Sequence, residues 1–217
     1  MRLPGGSGKP VRPPLRMPQA RVAVHPWPAS RHLLGTASGV GSGLLVISVA
    51  TPDSTLRDAA RTQLRSALRE VLGLQLGCTP EALNLQSVPG QPLRVALPGH
   101  AISAIGLSAS HEAGLSVAVI RRHGPVGIDI MRIAPAFDWQ PVARDYLGPQ
   151  AWHRIASQPA PDQLQAFAYE WTSLEAGLKC IGIGLQEWCP VLAQRLESCR
   201  LMELALPEGL YGAVAWR

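Results

Sequence analysis

Apolar and polar positions follow distinct patterns along the chain. Gly43-Leu-Leu-Val-Ile-Ser-Val-Ala50 is a short, nearly continuous apolar run, as expected of a strand buried on both faces. After a turn at Thr51-Pro-Asp53 the period lengthens. Leu56, Ala60, Leu64, Ala67, Leu68 and Val71 recur at helical spacing and predict a helix from near Ser54 to Gly73. Arg57, Arg61, Arg65 and Arg69 line another face of it, by default a solvated face, with phosphate binding as the alternative. A Pro/Gly-punctuated segment follows, with turns at Pro89-Gly-Gln-Pro92 and Leu97-Pro-Gly99. Strands are expected at about Gly114–Arg121 and Val126–Ile133, joined by Arg122-His-Gly-Pro125 as a hairpin-like link. Helical character returns from Trp139 to Ala156. A Pro-rich break then precedes the strongest helix, Gln163–Cys180, which is stopped by Gly182 and Gly184. Arg200–Leu206 and Leu210–Trp216, around Pro207-Glu-Gly209, read as a terminal hairpin.

Strand, helix and loop elements thus occur once before about residue 122 and again after it. The expected organisation is a leader over 1–40, a first α+β half over 41–122 and a second over 123–217. Seven of the first thirty residues are proline, and no helical or strand period survives among them, so the leader is expected to be disordered. The leader also explains the formal charge of +5: residues 1–52 hold six cations and no acid, leaving 14 cations against 15 acids in the rest. A nucleic-acid-binding reading needs a basic folded surface with interleaved aromatics. Trp27 is the only aromatic in the leader, so nucleic acid is not an expected partner, and without a span of eighteen apolar residues neither is a membrane. Gly5-Gly-Ser-Gly-Lys9 imitates a phosphate loop but lacks a preceding strand, and Pro10 stands where the metal-binding hydroxyl belongs. Cys78, Cys180, Cys189 and Cys199 form no metal-binding spacing, which fits a reduced, cytoplasmic protein.

Two polar residues break the pattern in ways that invite chemistry. On the 163–180 helix, Phe167, Ala168, Trp171, Leu174 and Leu178 form an apolar stripe, and Glu175 falls inside it with Lys179 one turn on. A carboxylate there is costly unless paired or bound to metal. An intrahelical Glu–Lys pair is the plain alternative. The chain has 18 Arg and only two Lys, so a Lys at this position suggests a need for its compact ammonium. In the 126–133 strand, Val126, Ile128 and Ile130 share one face, and Gly127, Asp129 and Met131 the other. Asp is disfavoured in strand interiors, and Gly127 beside it leaves room for a ligand or a neighbouring backbone; a turn-capping Asp is the alternative. Ser110-His111 is framed by no nucleophile elbow and by itself reads as a polar loop.

Taken in order, these pieces resemble the 4′-phosphopantetheinyl transferase superfamily. The likeness rests on Gly90-Gln-Pro92 through Ser110-His111, on Val126-Gly-Ile-Asp129, and on Trp171-Thr-Ser-Leu-Glu175-Ala-Gly-Leu-Lys179 followed by Gly182-x-Gly184. The length resembles the larger class typified by the surfactin-synthetase activator, a monomer whose two similar α+β halves form a pseudo-dimer around one site. The resemblance implies Mg²⁺-dependent transfer of phosphopantetheine from coenzyme A to a serine of an apo acyl or peptidyl carrier protein, of the kind used in fatty acid or polyketide biosynthesis. It implies that Asp129 and Glu175 hold the metal, that Glu175 and Lys179 are catalytic, and that Ser110, His111 and Lys179 contact coenzyme A. Met131 stands where many larger members have a second acid, while Gln91 and Leu174 replace motif lysines. A non-catalytic binder of coenzyme A or of a carrier protein is the alternative these departures leave open.

Overall fold

The computed structural model describes residues 20–31, 43–88, 91–96, 104–134 and 137–217. Most of the leader and the expected turns at 89–92 and 97–99 lie wholly or partly outside the described residues. The elements in chain order are β1 (Val24–Pro26), β2 (Leu44–Ala50), α1 (Arg57–Leu76), β3 (Asn84–Gln86), β4 (Arg94–Ala96), β5 (Gly106–Glu112), β6 (Leu115–Arg121) and β7 (Val126–Arg132). They continue as α2 (Trp139–Val142), a π-helical turn (Ala143–Leu147), α3 (Gly148–Ala156), α4 (Ala160–Ile181), α5 (Pro190–Leu196), β8 (Arg200–Glu203) and β9 (Leu210–Trp216). The fold is a mixed α/β arrangement, and no described helix is long and apolar enough to cross a membrane.

Two main sheets carry the molecule, ordered β1-β2-β6-β5 and β7-β9-β8. The alternation of β2 explains why both of its faces are apolar. Leu45 and Ile47 pack with Leu64, Leu68 and Leu72 of α1. Leu44 and Val46 point the other way, onto Ile128, Ile130 and Val214 of the second sheet. The far face of the second sheet receives α4 through small residues: Ala176 and Cys180 meet Ala213 and Ala215. Gly127 makes this approach possible, because a Cβ there would lie 2.0 Å from the Ala176 carbonyl and 2.5 Å from the Cys180 nitrogen. The space beside Asp129 is therefore filled by helix backbone.

Three expectations change. Val126–Ile133 does not form a hairpin with the strand before it: β7 belongs to the second sheet, and the true hairpin is β5–β6, turning at Ala113-Gly114. Gly114, with φ +81°, supplies the left-handed turn. Ser110 and His111 consequently lie in a strand and not in a polar loop. The leader is also not wholly unpacked. β1 pairs in parallel with β2, and Val22 bridges to Leu204, so this segment touches both sheets. Val22 and Val24 join one core and Trp27 the other, an apolar gain that offsets the ordering cost of a Pro-rich stretch.

Candidate functional site

A cleft of about 810 Å³ opens between α1, β5, β7 and α4. Its floor is set by β7, whose alternation sends Ile128 into the core and Asp129 to the α4 side, where its side chain is only 8% exposed. α4 then places Lys179 over it. The Lys179 ammonium donates to Asp129 Oδ1 at 2.7 Å and to the Ile128 carbonyl at 3.1 Å. The same ammonium lies 3.9 Å from Glu175 Oε2, one helical turn back. One cation thus spans two carboxylates from different elements, which an intrahelical Glu–Lys pair alone does not explain. Burial, then the negative charge of Asp129, pushes the Glu175 carboxyl above the usual carboxylate range, against the pull of Lys179.

The burial pattern of α4 differs from the expected stripe. The helix buries Phe167, Ala168, Thr172, Ala176, Gly177, Leu178 and Cys180. Trp171 and Leu174 are only half-buried and pack in an aromatic cluster with Phe167 and Trp139. Glu175 is half-buried beside this cluster and at the cleft. Glu170 lies outside the site and grips Arg154 of α3 through two bonds of 2.6 and 2.8 Å.

On the opposite wall stand Arg57, Arg61 and Arg65 of α1. The arginine row on this helix therefore faces a cavity and not only open solvent, and the phosphate-binding alternative gains the support of its position. Sequence periodicity located the row, but only the packing of α1 across from β5 shows what it faces. His111 projects toward this row. Its Nδ1 lies 2.8 Å from the Ser116 hydroxyl. Burial, followed by the nearby Arg61, Arg57, Lys179 and Arg65, pushes the imidazole down to about 4, so it is uncharged at neutral pH. Ser110, adjacent in the strand, is buried and faces the other way. Its hydroxyl donates to Asp129 Oδ1 at 2.8 Å and accepts the Ile130 amide at 3.3 Å. Gln91, Met131 and Gly182 also line the cleft, while Leu174 is not among the lining residues.

The residue set fits a hard divalent cation. Mg²⁺ is commonly held by one or two carboxylates, with the remaining positions filled by water and substrate phosphate, and Asp129 lies close enough to Glu175 for its charge to help raise the Glu175 carboxyl. Among the described residues no group of three or more His, Cys, Asp or Glu converges.

Known proteins resemble this chain over the part that carries β7 and α4. Residues 125–205 match the family described as ACPS, the 4′-phosphopantetheinyl transferase superfamily. Over that span the chain is similar to the 4′-phosphopantetheinyl transferase superfamily. The matched span contains Asp129, Glu175 and Lys179, whereas Ser110, His111 and the arginine row lie before it. The chain is also 26% identical to the 4′-phosphopantetheinyl transferase HetI of Nostoc sp. over 164 residues, 70% of this chain and 68% of that protein. A Synechocystis sp. protein whose name gives the same transferase as a provisional assignment is 26% identical over 123 residues, and the match spans 49% of its length. The superfamily span ends at Ala205, so it includes β8 but stops before β9.

Proposed function

We propose that this protein is a member of that superfamily and transfers the 4′-phosphopantetheine group from coenzyme A to a serine hydroxyl of an apo acyl or peptidyl carrier protein, releasing 3′,5′-ADP. The observation that carries the reading is the Lys179 ammonium shared between Asp129 and Glu175 in a cleft walled by Arg57, Arg61 and Arg65. Successive arginines four residues apart on one helix face offer phosphate contacts at one-turn intervals. They suit a substrate with a pyrophosphate and a further phosphate. His111, held neutral, contributes a hydrogen bond and no charge at the phosphoadenosine end.

In the reaction the serine Oγ attacks the phosphorus that bears the pantetheine arm. A phosphodiester bond forms, the bond from that phosphorus to the bridging pyrophosphate oxygen breaks, and 3′,5′-ADP leaves with the electron pair. Glu175, which lines the cleft, accepts the serine proton. Lys179 neutralises charge that develops on the transferring phosphoryl oxygens. Asp129 and Glu175 would hold Mg²⁺, which supplies electrostatic stabilisation to the phosphate oxygens. Both hydrogen bonds to Asp129 fall on Oδ1, so the carboxylate would keep its second oxygen available to such a metal.

We further propose membership of the larger, monomeric class, with the two sheets as the cores of two related halves. The test is direct. Purified protein is incubated with coenzyme A, Mg²⁺ and a panel of apo carrier proteins, and the products are weighed. Gain of one phosphopantetheine group on a carrier serine supports the reading. A second reading, a coenzyme A binder without transfer, is favoured by Met131 in the cleft where many larger members have an acid. Tight coenzyme A binding with no carrier gaining mass would select it.

A further inference from the structure

β5 and β7 are edge strands of different sheets, and their seam has an unusual chemistry. Among the described residues no backbone ladder joins them. Instead two serines of β5, spaced by one pleat repeat, reach the amides of β7. Ser108 Oγ accepts from Ile128 N–H at 3.1 Å, and Ser110 Oγ accepts from Ile130 N–H at 3.3 Å. Both serines are equally buried, at 7% exposure. They differ in one respect: Ser110 also donates its proton to Asp129 Oδ1, at 2.8 Å.

We propose that Ser110 is a positioning residue for Asp129. The terminal torsion of an Asp side chain is broad and is set by what its oxygens contact. Here the Ser110 hydroxyl and the Lys179 ammonium grip the same oxygen from two different elements, which fixes the carboxylate plane. The Ser110 oxygen is itself fixed by the Ile130 amide of the strand that carries Asp129. A residue of the first sheet thus orients the carboxylate of the second, and the site is complete only when the two sheets are docked. This inference rests on the reading of Asp129 as a ligand for a divalent cation. It gives Ser110 a role through Asp129, in place of a direct contact with coenzyme A.

Ser108 provides an internal control, since it makes the same seam bond without touching Asp129. The experiment measures Mn²⁺ binding to the full chain by loss of the free-ion electron paramagnetic resonance signal. Wild type is compared with Ser110→Ala, Ser110→Thr, Ser108→Ala and Asp129→Asn. Thermal melting is followed in parallel, and the transfer assay gives KM for Mg²⁺ and for coenzyme A. Outer partners of metal ligands commonly contribute about 10–100-fold in affinity. Ser110→Ala is therefore expected to weaken Mn²⁺ about tenfold and to raise the KM for Mg²⁺, with the KM for coenzyme A within about twofold. Ser110→Thr keeps the hydroxyl and should recover most of the loss. Ser108→Ala should also lower the melting temperature, though by less than Ser110→Ala, which loses a bond to a carboxylate as well, and should leave Mn²⁺ affinity within about twofold. Unchanged Mn²⁺ affinity in Ser110→Ala with a raised KM for coenzyme A overturns the inference and makes Ser110 a substrate contact. Equal loss of Mn²⁺ in Ser108→Ala overturns it in favour of seam integrity alone. If Ser110→Ala does not fold, failure of Ser110→Thr to bind Mn²⁺ near wild-type strength overturns it as well. Should Asp129→Asn bind Mn²⁺ like wild type, the metal reading itself falls, and this inference with it.

Discussion

Gly127→Ala is a small change for which the structure predicts a large effect. The added methyl would lie 2.0 Å from the Ala176 carbonyl oxygen, 2.5 Å from the Cys180 nitrogen and 2.9 Å from Lys179 Cβ. The first two of these are helix backbone, so no flexible tip can swing aside. Ordinary contact begins near 3.4 Å, and α4 must therefore retreat from β7 by more than about 1 Å in a close-packed interior. Overpacking of a rigid site costs about 1–3 kcal/mol and occasionally more; with two backbone clashes the expected loss is about 3 kcal/mol. For a chain of this length that lowers Tm by roughly 6–12 °C. The same retreat lifts Lys179 and Glu175 away from Asp129, and a shift of about 1 Å in reacting groups costs on the order of 10²-fold in rate. Gly177→Ala is the contrast. Its Cβ would meet the tip of the Leu196 side chain at 2.8 Å, which can move, and alanine gains about 1 kcal/mol of helix propensity. It should stay within about 1 kcal/mol of wild type. Differential scanning calorimetry with a parallel transfer assay checks both. A Gly127→Ala protein with wild-type Tm and rate would refute the close approach of α4 to β7 as the device that sets the site.

Two further outcomes follow from the electrostatics and from the leader. His111 is depressed from 6.5 to about 4, so between those values the unfolded chain binds the proton and the folded one does not. Stability therefore falls as pH drops from about 6.5 toward 4. His111→Asn should lose less stability over that window, and an NMR titration of His111 with a midpoint near 6.5 would contradict the burial argument. Removing residues 1–31 deletes β1 and uncovers the surfaces that Val22, Val24 and Trp27 cover. At roughly 1 kcal/mol for each partly buried side chain, Tm should fall by about 6–12 °C; a truncated protein that melts like wild type would show that this segment contributes nothing.

Sequence periodicity located the elements with long apolar repeats. The helix expected over 163–180 spans Ala160–Ile181, and the strand expected over 43–50 spans Leu44–Ala50. The terminal hairpin also lies where Pro207-Glu-Gly209 placed it. β5 escaped because its sequence, Gly-Leu-Ser-Ala-Ser-His-Glu, is small and polar. Its serines serve the seam with β7 in place of an apolar face, a use that composition cannot reveal. The false hairpin at 122–125 arose because adjacent strands usually pair, whereas this link carries the chain from one sheet to the other. β1 was hidden by its prolines, and its packing depends on contacts made with distant residues. At the site, Asp129, Glu175 and Lys179 stood out as polar residues in apolar surroundings. The arginine row was visible as a row, but its relation to the cleft belongs to tertiary packing.

The most direct test of the account is the transfer rate of Glu175→Gln and Lys179→Arg, measured by intact mass on the carrier protein that the wild type modifies fastest, alongside coenzyme A binding by calorimetry. Glu175→Gln keeps shape but removes the charge that would accept the serine proton. Lys179→Arg keeps charge but puts a planar fork where one compact ammonium lies 2.7 Å from Asp129 and 3.9 Å from Glu175. Both changes should lower transfer by about 10²-fold or more, a loss of roughly 2.7 kcal/mol in transition-state stabilisation. Coenzyme A affinity should change by less than about fivefold, because the arginine wall and His111 are untouched. Transfer by Glu175→Gln at the wild-type rate would contradict the mechanism.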